Sequence, residues 1–564
     1  MVVVGVATVI LVATGCTGGP ATPSSIPSSD SATSTAKPKI LTLALQQEPA
    51  VLSLQLAQAN SQSGGAHLVL NILHNYLVVQ DNAKGYQAQI AVEKPAIDKG
   101  TWRLNPDGTM DLTWRIHPNV RWQDGVPFTT DDLIFSFNVY KDPEIPNNVR
   151  QLIRGFESVS APDPTTVIAH WSTPFVDADQ APGLQPLPRH LMEDQFLSDK
   201  AGFTRSTRLT TDFVGLGPYR LVHWEPGSYM EFTRFDDYFM GRPPLDGVMV
   251  RFVGDTSTII ANILSGAIDI VPPIGLEVDA TIEVKRRWEG TGNIAIPQLR
   301  GGFRALEIQH RPEYARPASG FTNLGVRAGF YDAIDRRALA DTMTGGLAPI
   351  ADSWLTPDDP LRPQLEPWIP QFPYDPARAQ ALLAQAGWTR GSDGTLTNNQ
   401  TSERFVTQLT ARGPGDAKAQ HIIADNWKAV GAQVELYEIP PALQSDRELT
   451  STLSGSWLAT LQPEHLTTDR FHSKSITSAA TNWTGNNRGG YVNPKVDALL
   501  DRLTVTIPRP ERIGLFKELL QDEMEDLPLI MLYWEGDILL ASKGVSGTSG
   551  GGNSTWNFFQ WNKD

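Results

Sequence analysis

The sequence is poor in cysteine and in net positive charge, and both shortages narrow what the chain can be. Among 564 residues only Cys16 is a cysteine, which excludes an intramolecular disulfide and a multi-cysteine zinc site. Lysine and arginine total 47 against 62 aspartate and glutamate, a formal charge of -15, and this argues against a nucleic-acid-binding surface. Past the N-terminal dozen residues no apolar run reaches the roughly 20 residues of a membrane-spanning helix. The ten histidines form no H-E-x-x-H pair for a metalloprotease, and no short repeat marks a solenoid or propeller. Against these absences stand 15 Trp, 21 Phe and 12 Tyr, with 47 Gly and 42 Pro. That supplies apolar surface for several compact, turn-rich units and does not fit a helical bundle or coiled coil.

The lone cysteine has an informative neighbourhood. Val2 to Val12 is almost continuously apolar and is followed by Ala13-Thr14-Gly15-Cys16, the length of a signal-peptide core and too short for a mature span. The small residues before Cys16 resemble a bacterial lipobox. That resemblance implies a signal peptide over 1–15, with Cys16 acylated as the mature N-terminus. Two features depart from the pattern: Ala13 stands where Leu is usual, and the first basic residue is Lys37. The competing reading is a small buried thiol in an apolar strand. Residues 16–38 are dominated by Ser, Thr, Pro, Ala and Gly, a composition suited to a flexible tether that holds a folded body at a membrane surface.

The folded part should begin near Ile40, where Leu41, Leu43 and Leu45 alternate as in a strand. Leu112 to Ile116 alternates again after the turn Asn105-Pro106-Asp107-Gly108, which predicts a hairpin. Thr129 with Asp132 has capping-box spacing for a helix through Phe137. Asp255 caps a helix that stops at Gly266, and Asp375-Pro376 starts one that stops at Gly387. A helix ending at Gly431 should feed a strand at Val434 to Tyr437, and Asn493-Pro494 and Pro510 open two further helices.

These segments, in this order, resemble the family 5 extracellular solute-binding proteins, the dipeptide, oligopeptide and nickel receptors of ATP-binding-cassette importers. The strongest match is Val120-Arg121-Trp122-Gln123-Asp124-Gly125-Val126-Pro127-Phe128-Thr129-Thr130-Asp131-Asp132. Others are Pro186-Leu187-Pro188-Arg189-His190, Val214-Gly215-Leu216-Gly217-Pro218-Tyr219, Ala333-Ile334-Asp335-Arg336, Tyr374-Asp375-Pro376 and Gly490-Tyr491-Val492-Asn493-Pro494. The resemblance implies an α/β, two-lobed periplasmic-binding-protein fold of type II, in the large three-subdomain peptide-receptor class. Lobe I would take 39–301 with 76–212 as an extra subdomain, lobe II 302–530, and 531–564 would return to lobe I. The hinge crossings would lie near Gly301-Gly302 and Leu529 to Tyr533. The implied protein is a monomeric, extracytoplasmic, lipid-anchored receptor. It captures a peptide-like or other small solute in an interlobe cleft and passes it to permease subunits, without catalysis, metal or cofactor.

The resemblance also nominates cleft residues. Peptide-binding members place Asp three residues after Trp, against the ligand's ammonium group. The matching segment is Trp457 to Pro463, with Thr460 in the Asp place. A hydroxyl provides no counter-charge, and burying an unpaired ammonium is costly. A neutral or N-blocked peptide, or an oligosaccharide, is therefore expected to bind better than a free-amine peptide, unless Glu464 substitutes. Gln309 stands at the family's strand-end Asn. Trp354, Trp457 and Trp483 are candidates for stacking on a flat ligand, with packing as the alternative for each. Glu48, in the turn after the first strand, is a second acidic candidate or a solvated turn residue.

The same cleft could serve an oligosaccharide receptor or a secreted hydrolase, and a purely structural surface protein is a third class. For the hydrolase, Gly547-Thr548-Ser549-Gly550-Gly551 matches G-x-S-x-G but lacks the following helix. Gly290-Thr291-Gly292 imitates a dinucleotide loop without a preceding strand. His465, Asp469 and His472 have helical spacing for a metal but lie in a Thr- and Ser-rich segment.

Overall fold

The computed structural model describes residues 37–56, 65–81, 85–147, 153, 155–180, 185–273, 275–462, 470–549 and 554–564. Cys16, the leader and nearly all of the tether therefore lie outside the described residues, as do Glu464, His465 and Asp469. The body Lys39–Asp564 is one compact unit.

Nearly all the punctuation read from the sequence marks a real element end. The first strand runs Ile40–Leu45, and Trp102–Leu104 pairs antiparallel with Met110–Arg115. The helix Thr130–Lys141 starts where Asp132 accepts the Thr129 N–H at 3.0 Å. Asp255 caps Thr256–Ser265 by accepting from Thr258 N at 2.7 Å, and Gly266 ends it at φ 77°, a left-handed angle that glycine adopts without steric cost. Pro376–Gln385, Pro494–Val505 and Arg509–Asp526 follow the expected starts.

Two long strands organise the molecule. Ile294–Ile308 and Leu529–Ala541 pair antiparallel in the middle of a ten-stranded sheet. On one side lie the strands Ser456–Leu461, Val406–Ala411 and Gln433–Glu438. On the other lie Ile270–Val271, Ile40–Leu45, Gly247–Phe252 and the hairpin Tyr219–Arg234. The apolar cores divide accordingly. Leu41, Val248, Leu539 and Ile538 belong to lobe I cores, whereas Phe303, Leu306, Met531 and Trp534 belong to lobe II cores. The two long strands are thus the covalent link between lobes.

The pairing breaks at the junction. Leu299 faces Gly536 and Phe303 faces Trp534, so Arg300, Gly301 and Gly302 oppose the single residue Glu535. Such a bulge bends the strand and releases local ladder bonds, and Gly301 takes φ 79° there. Leu529 to Tyr533, the second stretch expected to cross, instead contributes Leu529 and Met531 to one lobe II core and Ile530, Leu532 and Tyr533 to the other.

The extra subdomain has its own core, from Leu77 to Leu216 with Leu56, over a four-stranded sheet. Three of the sequence motifs meet in it. Gln123 Nε2 donates to the carbonyls of Leu73 at 2.9 Å, Gly217 at 3.1 Å and Tyr219 at 2.7 Å, and its Oε1 accepts the Gly215 N–H at 3.0 Å. His190 Nε2 lies 2.7 Å from Asp124 Oδ2. The glycines of the third motif serve close approach rather than an unusual backbone angle: a Cβ on Gly215 would sit 2.0 Å from Leu73 O, and one on Gly217 2.3 Å from Leu73 C. A lobe II residue also enters this core. Ile507, in the turn between the helices Pro494–Val505 and Arg509–Asp526, packs within it, and Val176 N donates to Thr504 O at 3.2 Å.

Candidate functional site

The bulge places a polar cluster at the interlobe junction. Arg304 lies on the first long strand directly opposite Thr460. Its Nη1 donates to Thr460 Oγ1 at 2.7 Å, and the Thr460 hydroxyl donates onward to Glu535 Oε1 at 2.8 Å. Arg304 Nη2 is ion-paired with Asp416, which stands in the first turn of the helix Pro414–Ala429, where the helix dipole favours a carboxylate. Asp416 also accepts the Arg412 N–H at 3.0 Å. Burial, the largest cause, pushes the Tyr533 phenol up to about 12 despite the opposing pull of Arg304, so it is a neutral donor at physiological pH. Among the described side chains one guanidinium faces these two carboxylates, which leaves one negative charge between them. Glu535 is the looser of the two acids, 3.8 Å from Arg304 and 23% exposed at its side chain.

Of the described residues nominated from the sequence, the cluster contains Thr460 alone. Gln309 is fully buried beyond the end of its strand, where its amide donates to Leu453 O at 2.9 Å and accepts from Arg311 Nε at 3.0 Å. Trp354 and Trp457 are each 1% exposed in a lobe II core and present no face for stacking. Trp354 Nε1 donates to Glu523 Oε2 at 3.0 Å, and burial raises that carboxyl to about 8. Trp483 is half-buried with a left-handed φ of 55° in a surface turn. Glu48 fastens the first-strand turn to the Tyr219–Arg234 hairpin, accepting from Trp224 Nε1 and from Gly227 N at 2.8 Å. Among the described residues no group of His, Cys, Asp and Glu could hold a metal. His472 sits 3.1 Å from Asp501.

Sequence reasoning missed Arg304, Asp416, Tyr533 and Glu535. A signal for two of them was present: Arg304 interrupts Phe303-Arg304-Ala305-Leu306, and Glu535 interrupts Leu532-Tyr533-Trp534-Glu535. A charge inside an otherwise apolar strand needs a partner or a function.

Two lobes joined by a paired-strand hinge, with a charged polar cluster at the crossing, define a solute receptor of the periplasmic-binding-protein class. The model of the bacterial extracellular solute-binding proteins, family 5 Middle, matches residues 93–478, and the chain belongs to that family. The glutathione-binding protein GsiB of Shigella dysenteriae is 25% identical over 452 residues, covering 79% of this chain and 82% of the relative. Among solved structures, NikZ from Campylobacter jejuni in complex with Ni(L-His) is 21% identical with a TM-score of 0.70, covering 93% of this chain and 99% of that one. The oligopeptide-binding protein AppA from Bacillus subtilis, in complex with a nonapeptide, is 18% identical with a TM-score of 0.68, covering 94% and 100%. Those two likenesses establish the fold. Among the described residues no helix is long and apolar enough to cross a membrane.

Proposed function

We propose that the protein captures a peptide-like solute bearing a cationic group in the interlobe cleft and presents it to the permease of an ATP-binding-cassette importer. The observation that carries this reading is the Thr460 hydroxyl bonded at 2.8 Å to the partly exposed carboxylate of Glu535. The counter-charge absent at Thr460 stands on the neighbouring hinge residue, where an ammonium group can meet it without being buried unpaired. The lobes hinge where the three residues 300–302 oppose Glu535, and a ligand touching both lobes favours the closed state through the contacts it gains there. The relatives named for glutathione and for an oligopeptide support a peptide-like solute. An oligosaccharide loses ground, because Trp354 and Trp457 have no exposed face to stack on one.

The test is calorimetry with a tripeptide and its N-acetylated form on the wild type and on Glu535→Gln. A free-amine preference of about tenfold or more, lost in the variant, supports the reading; preference for the blocked peptide overturns it. Recovery of a chemically altered ligand would move the assignment to a hydrolase. For the anchor, Cys16→Ser should shift the protein from membranes to the soluble fraction, and unchanged membrane retention would rule the lipid out.

A further inference from the structure

The core of the extra subdomain contains a space that its own side chains do not fill. The strand Thr166–Trp171 buries Val167, Ala169 and Trp171 on one face, as the two-residue period of a strand requires. The helix Thr130–Lys141 brings Leu133, Ser136 and Phe137, at i, i+3 and i+4, to the same place. Between them lies a partly open recess of about 490 Å³. Its origin is in two small residues. Ala169 stands between Val167 and Trp171, where a larger side chain would close the gap, and Ser136 stands on the helix that covers the strand. The Ser136 hydroxyl is already spent, donating to Asp132 O at 2.6 Å and accepting the Leu187 N–H at 2.8 Å. Protein interiors leave few voids larger than a water molecule, and the walls of a void forgo dispersion contacts. A guest that fills the recess restores them.

The walls determine the chemistry of that guest. None of the described side chains lining the recess is charged, so a guest entering it must be neutral. Aromatic rings form much of the lining. Phe137 lies 4.6 Å from Phe156, and Phe156 stacks on Trp171 at 4.9 Å and 8°. Phe175 also stacks on Trp171, at 5.2 Å and 21°, so the two phenylalanines cover the faces of the indole. A Cβ on Gly155 would lie 3.7 Å from Trp171 Cε3, which sets the benzo edge against Gly155 and leaves the edge that bears Nε1 to line the recess. That Nε1 is buried and has no hydrogen-bond partner. An indole N–H in this position is a donor without an acceptor, and leaving it unpaired costs free energy.

We propose that this recess is a binding site for a small neutral molecule with one aromatic ring and one hydrogen-bond acceptor. The ring packs between the aromatic wall and the small side chains of Ala169 and Ala178, and the acceptor takes the Trp171 N–H. A volume of this order suits a single ring with a short substituent. The site lies inside the subdomain core, apart from the interlobe cleft, and does not rest on the receptor reading above.

The test is a ligand-observed NMR titration of the purified full chain with benzyl alcohol and with ethylbenzene, which has nearly the same shape and no acceptor. Both should bind the wild type saturably. Trp171→Phe keeps an aromatic wall and removes the N–H, so it should weaken benzyl alcohol about fivefold more than ethylbenzene. Ala178→Leu fills the recess and should weaken both probes about tenfold or more. Ala169→Val fills it from the strand, so a folding failure in one filled variant leaves the other to decide. Absence of saturable binding by the wild type would overturn the proposal, as would binding that survives filling or an unchanged ratio of the two affinities in Trp171→Phe. Displacement of benzyl alcohol by a saturating tripeptide would place the molecule in the interlobe cleft and overturn it as well.

Discussion

The extra subdomain and lobe II treat charge in opposite ways. In the subdomain Gln123 and Asp132 are consumed by backbone: the Gln123 amide alone makes four hydrogen bonds to it, and Asp132 accepts N–H groups from Thr129 and Arg189 at 3.0 and 3.1 Å. In lobe II two charges are incompletely matched among the described side chains. Arg488 faces an open recess, and Glu535 lies 3.8 Å from Arg304, which Asp416 already pairs. A region whose motif charges are matched is a scaffold, and a region that leaves charge over is one built to receive something. The family's most legible motifs therefore mark the scaffold and say little about the ligand.

The sharpest way to break this comparison is Gln123→Ala. The Gly217 and Tyr219 carbonyls and the Gly215 N–H lose the Gln123 amide, while Leu73 O keeps the Gly217 N–H at 2.9 Å; at about 1–3 kcal/mol for each group left unsatisfied, roughly 4 kcal/mol should disappear from urea unfolding of the body. A loss near zero would mean that the subdomain is not locked by its motifs. Next is Glu523→Gln. The native carboxyl titrates near 8 instead of 4.5 because burial disfavours its charge, so between those values the folded state holds a proton that the unfolded chain has released. Stability of the wild type should fall as pH rises across that window. The variant should flatten the slope and gain on the order of 2 kcal/mol at pH 8; equal slopes would show the acid to be already paired.

Ile507→Ser tests the lobe II side chain that, among the described residues, sits in the subdomain core. Removing that apolar contact should weaken the closed form by about 1.5 kcal/mol, seen as a larger radius in solution scattering and about tenfold weaker tripeptide binding. Unchanged scattering would make the contact incidental. The smallest effect is expected from Thr460→Val, which removes the hydroxyl between Arg304 and Glu535. It should shift the unfolding free energy by about 1 kcal/mol or less, and a larger loss would mean that this cluster is scaffold too.

Much of the architecture was legible because its signals are local. Asp255, Asp375 and Asn493 satisfy N–H groups within three residues, and capping of this kind depends on no distant part of the chain. The candidate site was legible only at Thr460, through its resemblance to a known motif. Trp354 and Trp457 show why composition was a poor guide to the rest: a tryptophan suits an apolar core as well as a ligand-facing wall, and nothing beside it in sequence tells which.

The sequence by itself determined where helices and strands begin and end and the order of the motifs, since these follow from caps, turns and alternation within a dozen residues, and the resemblance those motifs carry implied the two-lobed class. Only the tertiary structure decided which charges meet. Thr460 and Glu535 are 75 positions apart and Arg304 and Asp416 are 112 apart, brought together by the register of strands that pair across the sheet and by one bulge at residues 300–302. Register is set by the summed burial of whole strand faces, so a charge balance that depends on it has no local trace in the chain.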